Sequence, residues 1–273
     1  MGCDASVLLN TSTANPNPEN AEFFKMRGYY LIDAAKAAVE KNCSRVVSCA
    51  DILAFAARDA FYLLGGKYDS DLYDVSAGRR DGNISLLSEA VTFLPRPTFN
   101  FSQLNSSFAA KGFTTDEMIT LSGAHTVGQA HCTSFAQGRL YPNYDPKQID
   151  SDYAKALQSV CPNNTNNNVV VPQDNVTPNT TDAQYFTNVL NKKVLFFSDW
   201  ALSTDPVARQ TMQTYQSNTI EVYLLGIKFI NGNDLWKSKF IAAMQKLGQL
   251  DVLTGDQGQI RETCGAVYVP PNN

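Results

Sequence analysis

Residues 162–182 set the first limit on the fold. They are crowded with Asn and Thr and broken by Pro162, Pro172 and Pro178, a composition that cannot sustain a helix. A long polar loop is expected there, and a loop of that length in a compact protein ordinarily has something to hold. On both sides of it the apolar spacing is helical. Over residues 27–42, Leu31, Ala34, Ala35, Ala38 and Val39 share one face and predict a core helix. Ser48 with Asp51 three residues later makes a capping-box-like start to a helix running toward Gly65-Gly66.

A helix over residues 101–111 ends at Gly112, Thr114 or Thr115 can cap another over 116–121, and that helix delivers His125 just past its end. Further helices are expected over 131–141, 183–197, 206–230 and 236–247, before a turn-rich segment at 255–265. No internal repeat is visible. Short strands are compatible with the pattern, but no sustained period-2 alternation supports a sheet-based fold, so the fold class is mainly α.

With a net charge of -4 and no Lys/Arg run, the chain lacks the basic footprint of a nucleic-acid binder. The apolar windows 51–65 and 222–230 are interrupted by Arg58, Asp59 and Lys228 and are shorter than a bilayer requires, so no membrane partner is expected. Asp4 follows the start directly and no basic stretch precedes it, so these residues contain no secretory signal. Two features nevertheless point outward from the cytoplasm. Asn10, Asn42, Asn83, Asn100, Asn105, Asn163, Asn175 and Asn179 each open an Asn-x-Ser/Thr sequon, and the 6 cysteines, irregularly spaced and without a CxxC pair, suit disulfides better than zinc or redox catalysis.

Chemistry centres on Leu121-Ser122-Gly123-Ala124-His125-Thr126-Val127-Gly128, followed by Cys132. His125 and His131 are the only 2 histidines. A lone imidazole among small residues is by default a packed or surface group, but Ser122, Gly123 and Ala124 would let a flat macrocycle approach. A haem iron held by His needs a carboxylate on the second ring nitrogen, and Asp199, after an apolar run, is the candidate. His131, six positions on, would be turned away on a helix and reads as surface or structural. Asp174, Thr177, Thr180 and Asp182 in the polar loop offer hard oxygens suited to calcium, with Thr126 from the other side; an ordinary Asx-rich loop is the competing reading. Gly2, Asp4 and Ser6 form a smaller oxygen cluster.

Over essentially the whole chain, these residues resemble the secretory plant (class III) haem peroxidases. The motifs that carry the resemblance are Gly2-Cys3-Asp4-Ala5-Ser6-Val7-Leu8-Leu9, Arg27-Gly28, Val47-Ser48-Cys49-Ala50-Asp51-Ile52-Leu53, Gly78-Arg79-Arg80-Asp81, Leu121 to Gly128, Ser198-Asp199, Leu253-Thr254-Gly255 and Gln259-Ile260-Arg261. The resemblance implies a two-lobed haem peroxidase fold and haem b, with His125 as axial ligand and Asp199 as its proximal support. It implies two calcium sites, one of Thr126, Asp174, Thr177, Thr180 (through its carbonyl) and Asp182, the other retaining Gly2, Asp4 and Ser6 with Glu19 more remote. Pro95 would be the substrate-edge proline, and Cys49–Cys264 and Cys132–Cys161 would be disulfides. A crosslink like the second is worth roughly 3 to 4 kcal/mol by loop closure.

The departures matter as much. The family's distal helix, with its arginine and histidine, precedes the Gly-Cys-Asp motif, ahead of which stands only Met1. The expectation is therefore one plant-type peroxidase domain over 1–273 that lacks the N-terminal helices, an incomplete distal calcium site, no assigned catalytic residue, and weak or absent turnover. Cys3 and Cys43 are left without the partners the family gives them. Glu22 stands nearest the place of an expected Pro-Asn pair, Trp200 replaces a polar residue, and 218–236 is longer than the family's connection. Expected partners are hydrogen peroxide and small phenolic donors, for a monomer that is secreted or vacuolar. A non-catalytic haem- or calcium-binding protein derived from a peroxidase is the alternative of a different class. Met1-Gly2-Cys3-Asp4-Ala5-Ser6 also fits an acylation pattern, although the calcium-loop motif already accounts for it.

Overall fold

The computed structural model describes residues 2–13, 15–20, 26–66, 73–163, 168–217 and 231–268. The chain divides into two compact units, the first of Met1–Ala60, Leu72–Leu94 and Met244–Asn273, the second of Phe61–Asp71 and Pro95–Ala243. The elements are α1 (Tyr29–Glu40), α2 (Cys49–Leu63), α3 (Leu87–Phe93), α4 (Phe101–Ala109), α5 (Thr115–Ser122), β1 (Gln129–His131), α6 (Ala136–Arg139), α7 (Ser151–Val160), β2 (Val170–Pro172), α8 (Gln184–Leu190), α9 (Phe197–Leu202), α10 (Pro206–Gln216) and α11 (Gly232–Leu247). The mainly α expectation holds. None of the described helices is long and apolar enough to cross a membrane; the apolar window 222–230 and the end of the helix expected over 206–230 lie outside the described residues, as does Glu22.

In the first unit, the motifs singled out in the sequence explain one another. The first N–H groups of α2 have no helical partner. Ser48 Oγ accepts from Asp51 N at 3.0 Å, and the buried Asp81 carboxylate accepts from Cys49 N and Ala50 N at 3.2 and 2.9 Å. Asp81 also receives Arg261 N at 3.0 Å, while Arg261 Nη2 donates to Ala5 O at 2.7 Å. Asp51 turns its carboxylate to Gly78 N and to Arg79 Nη1, at 2.7 and 2.9 Å, rather than back to Ser48. The Cys49–Cys264 disulfide lies beside this network, packed with Ala5, Leu8 and Ala50.

The face expected to bury α1 is wrong. Leu31, Ala34, Ala35 and Ala38 are exposed, Leu31 by 59%, whereas Tyr29 and Ile32 pack on the disulfide cluster and Lys36 is buried. The helix is turned because Tyr29 and Ile32 bury more apolar area than alanines do. Lys36 is tolerated there because its ammonium pairs with Glu40 and donates to Val47 O at 2.7 Å.

In the second unit, α4 and α5 begin with full capping boxes, Asn100 with Gln103 and Thr114 with Glu117. The helix expected over 131–141 is mostly absent. Residues 129–131 instead pair antiparallel with 170–172, Ala130 opposite Val171, and α6 is a single irregular turn interrupted at Gln137 and at Gly138, whose φ is 79°. Cys132 is fixed by its disulfide to Cys161, and the surrounding core of Phe135, Leu140, Ile149, Leu157 and Leu195 fixes this segment as a scaffold rather than a helix. The helix expected over 183–197 breaks after α8, where Lys192 has a φ of 61°, and resumes as α9.

Candidate functional site

His125 stands in the 3-10 turn Gly123–Thr126 that follows α5. Its Nδ1–H donates to Asp199 Oδ1 at 2.8 Å. The Asp199 side chain, on α9, is 4% exposed, whereas that of His125 is 39% exposed. Burial disfavours the imidazolium, but the Asp199 charge and hydrogen bond outweigh it and raise His125 above the usual histidine value. Two rings set the imidazole edge-on, Phe196 with centroids 5.5 Å apart and Tyr185 at 6.0 Å. With Nδ1 committed to a carboxylate, Nε2 carries the lone pair, and no hydrogen bond engages it among the described residues.

Beside this pair, two residues of the polar loop, Thr180 and Asp182, meet Thr126. Thr126 Oγ1 lies 3.3 Å from Thr180 O and 3.3 Å from Asp182 Oδ1, and Thr177 Oγ1 lies 3.2 Å from the same carboxylate oxygen. These contacts are longer than the ordinary O–H···O spacing of about 2.7 to 2.8 Å. They suit oxygens spread around a cation whose own bonds are about 2.3 to 2.6 Å. Asp174 is fully buried; its Oδ1 caps Val176 N and Thr177 N, and its Oδ2 has no hydrogen-bond partner among the described residues. A buried bare carboxylate oxygen is costly unless a positive charge meets it.

In the first unit, Ser6 Oγ donates to Glu19 Oε2 at 2.9 Å and Ser6 N to Asp4 Oδ1 at 3.1 Å. Burial raises the Glu19 carboxyl above its usual value, against the opposing hydrogen bond from Ser6. Gly2 packs on Asp251, where a Cβ would lie 2.3 Å from the carbonyl oxygen. All four residues line a cavity of about 650 Å³ walled by Leu53, Ala54 and Met244. Pro95 is exposed. Among the described residues, no cluster of three or more His, Cys, Asp or Glu side chains is suited to a metal, so any cation here would be held by mixed oxygens.

The sequence reading missed Tyr185 and Arg139. Tyr185 Oη donates to the same Asp199 Oδ1 at 2.8 Å. Arg139, 6% exposed, donates to the carbonyls of Leu195 and Gln148, and burial lowers its pKa to about 10 against the pull of Asp199. Neither belongs to a short motif; a tyrosine so deep in an apolar stretch needs a partner, but the sequence does not say which. His131 lies in β1, not on a helix, and is half-buried.

A sequence model of the family described as peroxidase matches residues 1–218. Peroxidase 5 of Vitis vinifera is 45% identical over 274 residues, covering 97% of this chain and 77% of that protein. The chain belongs to the class III plant peroxidases. Peroxidase 2 of Zea mays is also 45% identical, over 97% of this chain and 75% of that protein, and Peroxidase 3 of Arabidopsis thaliana is 36% identical over 96% and 77%. As a plant peroxidase the chain is an oxidoreductase that uses hydrogen peroxide with organic donors, and membership implies haem. The non-catalytic alternative finds no support in these relatives.

Proposed function

We propose that this plant peroxidase binds haem b through His125 Nε2 and oxidises small phenolic donors by single electrons, as a secreted, monomeric glycoprotein with one plant-type domain. The observation that carries the reading is the buried Asp199 carboxylate fixing the Nδ1–H tautomer of a half-exposed histidine. Haem, when bound, supplies the redox-active iron. Asp199 holds the proton on Nδ1, keeps the Nε2 lone pair outward and makes the imidazole electron-rich. Phe196 and Tyr185 keep the ring from swinging.

Thr126, Asp174, Thr177, Asp182 and the carbonyl of Thr180 would hold calcium, which meets the bare Asp174 oxygen. This anchors the turn that presents His125. Asp4, Ser6 and Glu19, with Gly2, would hold a second cation. Pro95, which is exposed, would edge the donor site. The sequons support secretion, because Asn10, Asn42, Asn83, Asn100, Asn163, Asn175 and Asn179 are exposed; Asn105 alone is half-buried, its Oδ1 accepting from Thr115.

The test is haem reconstitution followed by absorption spectroscopy and a phenol-oxidation assay. His125→Ala should abolish the histidine-ligated Soret spectrum while far-ultraviolet dichroism stays native. An unchanged Soret spectrum in that variant removes the reading.

A further inference from the structure

Asp199 Oδ1 receives two donors, His125 Nδ1–H and Tyr185 Oη–H, each at 2.8 Å. We infer that Tyr185 is a positioning residue for the proximal histidine: by sharing that oxygen it limits how much negative charge the carboxylate passes to the imidazole. The inference rests on the reading of His125 as the haem ligand.

Three observations support it. The Tyr185 hydroxyl makes its one hydrogen bond among the described residues to this oxygen, and Tyr185 is 1% exposed. For packing alone a phenylalanine would serve, since the ring already lies against Phe186 at 5.1 Å; a hydroxyl buried there is costly unless it is paired. A phenol hydroxyl facing a carboxylate oxygen can only donate to it, because the ionised carboxylate accepts and has no proton to give. In so dry a site charge-assisted hydrogen bonds are strong, and two donors on one oxygen compete for its charge.

Removing the phenol donor should leave a more basic carboxylate, a more imidazolate-like His125 and a stronger bond to iron. The test uses the haem-reconstituted full chain, with resonance Raman of the ferrous form and a redox titration as readouts. Tyr185→Phe should raise the iron–histidine stretching frequency and shift the ferric-to-ferrous ratio at fixed potential three- to tenfold toward ferric, roughly 30 to 60 mV for a one-electron couple. Tyr185→3-fluorotyrosine keeps the volume and strengthens the donor, so both readouts should move the other way; if Tyr185→Phe does not fold, this variant decides alone. Readouts that stay put in the folded variants, even with lowered stability, reduce Tyr185 to a packing residue and overturn the inference. If the native protein lacks the iron–histidine band altogether, the ligand assignment itself fails and takes this inference with it.

Discussion

A methyl group at position 123 would lie 2.5 Å from Trp236 Nε1 and 2.9 Å from Phe186 Cζ. The small residue before the site histidine therefore does something the sequence did not reveal. Smallness around His125 suggested room for a macrocycle, whereas Gly123 is taken up by the Trp236 ring, whose Nε1 donates to Thr120 O at 3.1 Å. Trp236 and Phe186 are both fully buried and cannot give way cheaply. Gly123→Ala should cost about 1 to 3 kcal/mol, seen as a lower urea midpoint with the slope of the transition unchanged. A midpoint within error of the native protein would show that the rings shift freely. The histidine and its carboxylate were legible because Leu121 to Gly128 and Ser198-Asp199 are recognisable strings. Tyr185 was not, because its role depends on a fold that brings α8 against α9.

Among the elements, helix existence followed from caps and apolar period, and the face each helix buries followed less well. In α1, a run of alanines gave a plausible stripe, but the buried side is fixed by Tyr29, Ile32 and the stem of Lys36. The β1–β2 pair was invisible for a different reason: three residues in each strand carry too short an alternation to detect, and the pairing is fixed from outside by the Cys132–Cys161 link. The α1 ion pair carries a pH signature. Lys36, Arg45 N and the pair's charge together lower the Glu40 carboxyl below its ordinary value of 4.5, overcoming the opposing effect of burial. A depressed carboxyl adds stability that is present above its unfolded value and lost as the pH falls through its folded one. Glu40→Gln should therefore lower stability at pH 7 by about 2 kcal/mol, and the gap to the native protein should close as the pH drops below about 4.5. A gap that stays constant across denaturation curves from pH 7 to 3 would show that the pair's charge contributes nothing.

Across the second unit, the polar loop connects elements distant in sequence. Thr181 N donates to Leu64 O at 2.7 Å and, at the loop's end, Ala183 N donates to Asn233 Oδ1 at 2.9 Å. The loop thus joins the end of α2 and the start of α11 to the turn bearing Thr126 and His125. What the sequence showed as a stretch unable to form a helix is, in the folded unit, a fastening in which the buried Asp174 Oδ2 has no hydrogen-bond partner among the described residues. A cation bound only in the folded state at a hundredfold its Kd would add about 2.7 kcal/mol. Chelation should lower the unfolding temperature of the haem-bound protein and speed haem loss to an acceptor globin, because Thr126 and His125 share one turn. Asp174→Asn should start at a lowered temperature and respond to the chelator less than the native chain does, keeping only the part that a second cation in the first unit contributes. If the native protein shows the same unfolding temperature and haem-loss rate with and without chelator, the loop is closed by its own hydrogen bonds and needs no metal. If chelation lowers Asp174→Asn as much as the native chain, the cation sits elsewhere.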